Sequence, residues 1–258
     1  QSSRVIVMIF FVMAMILLKL FDPATAVMLD PKIIPKFLNQ LAGAPPVFKP
    51  TIVTDAGGNV VSHNYTIDMT EFYQQLLPPV INPKTGVNFP PTKVWGYGGI
   101  IKTSTKGKPV RVSNSPAPSI EATRGIPINV KWVNKLTGSY MFAVDPTLTW
   151  ADPLGLGMID PPFPPFPPGD PRIQSPVAVV PHLHGGEVSS LYDGNPQAWF
   201  TANGIHGSTY HSFDQTTPDS IIYHYPNMQQ AAPLWYHDHT MGLTRITVIS
   251  GLAGCYLL

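Results

Sequence analysis

The stretch Leu-Trp-Tyr-His-Asp-His, residues 234–239, is a short apolar run that ends in two histidines separated by one residue. Its aromatic and apolar residues favour a β-strand, and the run is too short for a typical helix. A second stretch of this kind, Val-Ala-Val-Val-Pro-His-Leu-His at residues 177–184, is followed by two glycines. Both histidine pairs are therefore predicted to lie at strand ends.

The composition of the chain favours an all-β fold. Its 258 residues include 30 prolines and 21 glycines, and only 12% of them are charged. Such frequencies disfavour a helical bundle and suit short strands joined by many turns. Further strand-like runs at residues 52–54, 64–69, 93–97 and 128–133 have the spacing of a Greek-key β-sandwich. The apolar run at residues 245–258 is predicted to be a closing core strand with a glycine bend.

Three segments are predicted along the chain. Residues 1–26 combine an early arginine, an apolar run and an Ala-Thr-Ala motif, which is typical of a cleaved signal peptide; a retained membrane anchor is the alternative. Residues 27–51 are predicted to form a surface arm or short helix. Residues 52–258 are predicted to form one domain, in which residues 151–176 contain nine prolines and make a long loop. This organisation predicts the secretory pathway, and the extracellular space or cell wall as the destination.

The start of the chain and its charge limit what it can be. Because the first residue is Gln1 and not methionine, we expect the reading frame to be incomplete at this end. Lys and Arg total 16 against 15 Asp and Glu, and this balance provides no basic surface for nucleic acid. Cys255 is the only cysteine, so neither an intrachain disulfide nor a cysteine-based zinc cluster can form. Its apolar neighbours predict a buried thiol.

The two histidine pairs predict a site for more than one metal ion. In an extended strand, residues two positions apart point to the same face and lie about 6.6 Å apart along the chain. Two neighbouring metal ions, each bound by one histidine from each pair, suit this spacing better than a single ion does. Copper is a common occupant where neutral imidazole dominates the ligand set. Trp235 and Tyr236 are predicted to pack in the core beside the site.

Two other kinds of metal site contain paired histidines but require further ligands at set positions. A metallo-hydrolase zinc site needs an aspartate and a histidine soon after His184, where this chain has Gly185, Gly186, Glu187 and Val188. A metallo-hydrolase zinc site is therefore excluded. A cupin site would require a glutamate four or five positions after the second histidine, whereas Glu187 comes three positions after it. A cupin site stays open as a less favoured alternative to the copper site.

Several segments together resemble the first cupredoxin domain of multicopper oxidases. The resemblance rests on residues 182–185 and on Trp-Tyr-His-Asp-His-Thr-Met-Gly-Leu-Thr-Arg at residues 235–245, with further matches at residues 92–97 and 193–200. It covers roughly residues 28–258. Within the family, the sequence is most similar to the subgroup of spore-coat laccases, bilirubin oxidases and plant low-phosphate-root ferroxidases.

The resemblance implies a role for individual residues. His182 would bind the type 2 copper, and His184, His237 and His239 would bind the two type 3 coppers, so the chain would hold half of the ligands of a trinuclear cluster. Asp193 occupies the position of a family acidic residue that helps to deliver protons to reduced oxygen. The blue type 1 copper site has no counterpart in this chain, since Cys255 lacks neighbouring histidines.

The function implied by the resemblance is that of an oxidoreductase. The complete protein would oxidise a small reductant, such as a phenol, a bilin-like pigment or ferrous iron, and would reduce dioxygen to water. Its partners would be these two substrates and the C-terminal cupredoxin domains that this chain does not contain. The alternative is a truncated, cupredoxin-like copper-binding module without catalytic activity.

Overall fold

The computed structural model describes residues 29–40, 43–103, 108–158, 166–211 and 217–258. The predicted signal peptide at residues 1–26 lies outside the described residues. The described parts fall into two compact units, which are residues 29–40 with Leu77–Pro90, and residues 43–76 with Pro91–Leu258. No helix in the described ranges is long and apolar enough to span a membrane.

The smaller unit contains the beginning of the predicted arm. A single 3₁₀ turn spans Pro31–Ile33, where Asp30 accepts a hydrogen bond from the Lys32 backbone N–H. The remaining described residues, up to residue 40, are not helical. This unit also contains a turn in which Ile81 and Asn88 form an antiparallel bridge.

The larger unit is mostly β-structure. The strands described are β1 (Thr51–Thr54), β2 (Val60–Gln74), β3 (Thr92–Ile101), β4 (Val110–Asn114), β5 (Ala117–Glu121), β6 (Ile128–Asn134), β7 (Ala178–Val179), β8 (Pro181–His184), β9 (Phe200–Thr201), β10 (Ser220–Tyr225), β11 (Pro233–Asp238) and β12 (Ala253–Leu257). One α-helix, α1 (Thr244–Ser250), is described, together with 3₁₀ turns at Leu156–Met158 and Pro171–Ile173.

Two principal sheets form a sandwich. The first has the order β10-β6-β2-β3-β4, with β1 also paired to β2, and the second has the order β5-β12-β11-β8. The chain passes repeatedly from one sheet to the other, and β2–β6 and β5–β12 are parallel pairs among antiparallel ones. This is the cupredoxin-like Greek-key sandwich that the sequence predicts. A two-stranded ladder, β7 with β9, lies apart from both sheets.

Aromatic residues fill the space between the sheets. Tyr236 of the second sheet lies 5.0 Å from Tyr97 and 5.5 Å from Trp132 of the first sheet, measured between ring centroids. Tyr225 and Tyr256 make a similar contact across the sheets at 6.1 Å. All five side chains are fully buried. Burial on this scale is the main source of stability for such a sandwich.

The long proline-rich loop is confirmed in its described parts. Residues 151–158 and 166–176 contain no strand, and their two 3₁₀ turns are the regular structure described there. Phe166 and Ile173 are buried and belong to the hydrophobic core of the sandwich. The loop is therefore held against the domain by apolar side chains.

The prediction of a single strand over residues 245–258 is wrong for its first half. Thr244–Ser250 is the helix α1, and only Ala253–Leu257 is a strand. The β-branched residues of this segment favour strands, but Ile246 and Ser250 are buried at helical spacing while Ile249 is 66% exposed. Tertiary packing on one helical face has overridden the local propensity.

Candidate metal centre

Strand pairing brings the two histidine pairs together. β8 and β11 are antiparallel, with His182 opposite His237 and His184 opposite Trp235. Because alternate residues of a strand point to the same side, these four side chains share one face of the second sheet. Two segments that are distant in sequence thus form one cluster.

The rings of the four histidines are close neighbours. The centroid of the His182 ring lies 5.6 Å from that of His184, 5.3 Å from that of His237 and 4.9 Å from that of His239. One ligand nitrogen from each of His182, His184 and His237 lies within 4.8 Å of the others. His239 is outside this tightest group, although its ring contacts both His182 and His237.

Backbone carbonyls fix the tautomer of two of these histidines. His182 Nδ1 contacts the Asp193 carbonyl oxygen, and His237 Nδ1 lies 2.7 Å from the Asp238 carbonyl oxygen. A carbonyl oxygen can only accept a hydrogen bond, so both Nδ1 atoms carry the proton. In the neutral rings the Nε2 lone pairs are left free, which is how metal-binding histidines are usually oriented.

The spacing of two nitrogens fits a shared metal ion. His184 Nδ1 lies 3.2 Å from His237 Nε2. Two nitrogens that each lie about 2.0 Å from one ion are separated by about 3.3 Å when the angle at the metal is near tetrahedral. In addition, His239 Nδ1 is buried and has no hydrogen-bond partner among the described residues. The donor set and this orphaned nitrogen both fit metal binding.

Burial keeps the central histidines neutral. The pKa of His237 is lowered to about 4, chiefly because the ring is removed from water; the hydrogen bond to a backbone carbonyl opposes this shift, and the neighbouring imidazoles add to it. Burial likewise lowers the pKa of His182. Only the neutral ring has a lone pair to offer, so both residues are ready to bind a metal ion at neutral pH.

Asp193 contacts the first histidine pair in two ways. Its carbonyl oxygen accepts from His182 Nδ1, and its carboxylate Oδ1 lies 3.4 Å from the same nitrogen. The carboxylate is about half exposed, at 49%. The loop approaches this closely because Gly194 follows: its φ is +77°, and a Cβ there would overlap the carbonyl oxygen of Pro181.

Trp235 and Tyr236 lie on opposite sides of the second sheet. Tyr236 is in the core, where its hydroxyl donates to the Pro118 carbonyl at 2.6 Å. Trp235 is 39% exposed, and its ring lies 4.1 Å from that of His237 and 5.1 Å from that of His184. The prediction of core packing holds for Tyr236 only, since strand alternation places Trp235 with the histidines.

The prediction of a buried Cys255 is wrong. The thiol is exposed, because in β12 Gly254 and Tyr256 point into the core and Cys255 points outward. Cys255 is paired with Trp235 in the ladder of β12 and β11, so it lies on the face that carries the histidines.

Sequence reasoning assigned no role to Asp238, which lies between His237 and His239. The side chain is fully buried and accepts four hydrogen bonds. Strand alternation was the signal that could have found it, because the residue between two outward histidines must point inward.

Comparison with known proteins gives matches to oxidases. The chain is 34% identical to a laccase of Bacillus subtilis over 173 residues, which cover 66% of the chain and 26% of that protein. It is 35% identical to multicopper oxidase LPR1 of Arabidopsis thaliana over 173 residues, or 66% of the chain and 23% of that protein. The chain therefore spans about a quarter of the length of these relatives. No family model matches the chain.

Among solved structures, the multicopper oxidase from Campylobacter jejuni, described as a metallo-oxidase, has a similar fold. Its TM-score is 0.50 at 20% sequence identity, and the match covers 89% of this chain and 31% of that one. At this identity the likeness supports the fold alone.

Proposed function

We propose that this chain, which belongs to the multicopper oxidase family, supplies the N-terminal half of a three-copper cluster in a larger oxidase. The larger protein would oxidise a small reductant one electron at a time and reduce dioxygen to water. The observation that carries the proposal is the register of β8 and β11, which gathers neutral imidazoles on one face of the second sheet. Copper favours neutral imidazole ligands.

Each histidine has a proposed place in the cluster. His182 would bind the type 2 copper, while His184, His237 and His239 would bind the type 3 pair. The 3.2 Å between His184 Nδ1 and His237 Nε2 supports a shared ion for these two ligands. Copper, when bound, would supply one-electron redox chemistry by cycling between Cu(I) and Cu(II).

The chain's own residues orient the ligands and handle protons. The Asp193 carbonyl holds the Nδ1 proton of His182, so that Nε2 faces the site. The Asp193 carboxylate is half exposed and adjoins the same ring, so its oxygens can take a proton from water and hold it at the edge of the site. Trp235 packs against the rings of His184 and His237 and helps to hold them in place.

The other half of the site is proposed to come from C-terminal cupredoxin domains outside this chain. The relatives are about four times as long as the region they share with it. The face that carries the histidines is partly open, since His184, Trp235 and Cys255 are exposed. A type 1 copper site is likewise proposed to lie in those domains, as the family resemblance implies.

The electron donor and the location are proposed from the relatives and the sequence. Relatives named laccase and multicopper oxidase support a reducing substrate in general. A phenol, a bilin-like pigment or ferrous iron is proposed as the donor, as the family resemblance of the sequence implies. The signal-like segment at residues 1–26 supports secretion to the extracellular space or cell wall.

Titration of the purified chain with Cu(II) at neutral pH tests the copper site. We expect binding that is lost in His184→Ala, a change at an exposed side chain that leaves the fold intact. His206→Ala is the matched control, because His206 stacks on Tyr210 and contacts the Pro218 carbonyl away from the cluster. No blue thiolate-to-copper absorption band is expected. Equal copper binding by both variants would contradict the site.

Extension of the transcript beyond Leu258 tests the oxidase. We expect a continuing frame that encodes a further His-x-His segment and a His-Cys-His segment. The resulting full-length protein should consume dioxygen when supplied with a phenol or ferrous iron. An open frame without those segments would refute the proposed activity.

A further inference from the structure

We infer that Asp238 is a positioning residue whose carboxylate holds the two histidine pairs in their relative placement. This inference rests on the proposed copper site. Asp238 lies between His237 and His239 but points away from them, and its side chain has no exposure to solvent. All of its partners are uncharged amide and hydroxyl groups.

The first carboxylate oxygen joins the two pairs. Oδ1 accepts from the backbone N–H of Val180 at 2.8 Å and from the hydroxyl of Thr240 at 2.9 Å. Val180 lies two residues before His182, and Thr240 directly follows His239. One atom thus connects the chain entering the first pair with the chain leaving the second.

The second carboxylate oxygen connects the site to α1. Oδ2 accepts from the backbone N–H of Thr240 at 3.2 Å and from the hydroxyl of Thr247 at 2.6 Å. Thr247 is fully buried in α1. Its hydroxyl has one proton and several acceptors within reach, and the carboxylate is the nearest of them.

His239 depends on this arrangement more than His182 and His237 do. His182 and His237 are each oriented by a hydrogen bond from Nδ1 to a carbonyl oxygen, whereas His239 Nδ1 has no partner among the described residues. What holds His239 is its backbone, whose N–H donates to the Val180 carbonyl at 2.8 Å. Asp238 accepts from the N–H of the same Val180, so the carboxylate holds the segment between β7 and β8 to which the backbone of His239 is bonded.

The chemistry of the partners suits positioning. Backbone amides and short hydroxyl side chains are directional donors with little freedom to move. A long cationic side chain, by contrast, could neutralise the carboxylate from many positions and would not fix its orientation. Partners that support metal ligands without touching the metal typically change metal affinity by about 10–100-fold when they are lost.

Copper titration of Asp238→Asn tests the inference. The asparagine keeps one acceptor oxygen, but its amide N–H₂ faces the N–H of Thr240. Because both groups are donors, the hydrogen bond to Thr240 is lost. We expect copper affinity to fall by about 10–100-fold, with a changed electron paramagnetic resonance spectrum of bound Cu(II). Asp68→Asn is the matched control, since Asp68 is a buried aspartate of the first sheet. It should lower thermal stability while leaving the copper spectrum unchanged.

A second pair of variants covers the case in which Asp238→Asn does not fold. Thr247→Val removes the donor to Oδ2 at nearly constant volume, and Thr247→Ser keeps it. We expect Thr247→Val to weaken copper binding several-fold and Thr247→Ser to restore wild-type binding.

Hydrogen exchange of the metal-free chain separates this inference from the proposed function. The Val180 and His239 amides should exchange faster in Thr247→Val than in Thr247→Ser. If the wild-type chain binds no copper but this difference in amide exchange appears, the proposed copper site is wrong and the positioning role of Asp238 is supported. Wild-type copper affinity, spectrum and exchange in both Asp238→Asn and Thr247→Val would overturn the inference.

Discussion

The two sheets of the sandwich each bury one aspartate, and they satisfy it in different ways. In the first sheet, Asp68 pairs with Arg111 and with Lys135, whose side chains are about half exposed. In the second sheet, Asp238 accepts four hydrogen bonds from neutral groups and has no cation beside it among the described residues. The first arrangement neutralises a charge and tolerates movement, while the second fixes the geometry of the chain around it.

This difference matches the different composition of the two sheets. The first sheet has long strands, up to 15 residues in β2, and contributes much of the buried aromatic core. The second sheet has strands of four to six residues and carries His182, His184 and His237 on a face that is partly open, and His239 directly follows β11. We therefore expect damage to the first sheet to change stability and damage around the second to change metal binding.

The largest expected effect comes from breaking the contact between the sheets. Trp132 is fully buried against Tyr97 and Tyr236, and its Nε1 donates to the Tyr225 hydroxyl at 3.3 Å. Trp132→Ala should lower the free energy of unfolding by about 3–5 kcal/mol, because it leaves a large cavity and an unpaired hydroxyl. Urea denaturation measures this. A loss below about 1 kcal/mol would show that the sheets are not held together at this point.

The next effect is expected in the loop beside His182. Gly194→Ala forces a side chain into a position with φ +77° and against the Pro181 carbonyl, which should cost about 2–4 kcal/mol. Gly125→Ala is the matched control, because Gly125 has φ +81° but open space around the position of a Cβ. Only the first variant should also weaken copper binding. Equal losses in both would mean that the close approach to His182 is unimportant.

A smaller effect is expected from the charge pair of the first sheet. Arg111→Ala should cost about 1 kcal/mol or less, since Arg111 is half exposed and Lys135 remains 2.8 Å from Asp68. Removing both cations should cost more than the sum of the single changes, because the buried carboxylate then has no counter-charge. Thermal unfolding measures this coupling, and copper titration should be unchanged throughout. Additive losses would argue against the shared pairing.

The smallest effect on stability is expected at Trp235. Trp235→Phe keeps an aromatic ring at a partly exposed position, so the free energy of unfolding should change by about 0.5 kcal/mol or less. The wild-type ring lies 4.1 Å from that of His237, and Cu(II) bound there should quench its fluorescence. Most of the quenching should disappear in the variant. Undiminished quenching would place the bound copper near another tryptophan.

The all-β sandwich was predictable because its signals are local. Strand-like runs and frequent proline and glycine all appear within short windows of sequence, and the fold that they predicted is confirmed. The helix α1 was missed for the opposite reason. Its β-branched residues favour a strand locally, and only the packing of Ile246 and Ser250 against the core selects the helix.

The site was predictable in its residue types and not in its arrangement. The spacing of each pair predicted two imidazoles on one side of a strand, which the structure has. The opposition of His182 and His237 depends on which strands pair and in which register, and no local signal encodes that. The exposure of Cys255 and the partners of Asp238 depend on the same long-range pairing.

Because the site depends on the register of β8 and β11, metal affinity reports whether these two strands have paired correctly. Sliding one strand past the other by a single residue would set Tyr236 or Asp238 opposite His182 and turn one histidine pair away from the other. Such a misfolded chain could keep most of its strand content and still bind no metal. Copper capture would therefore distinguish correctly paired molecules from compact, misregistered ones that spectroscopy of the backbone alone would count as native.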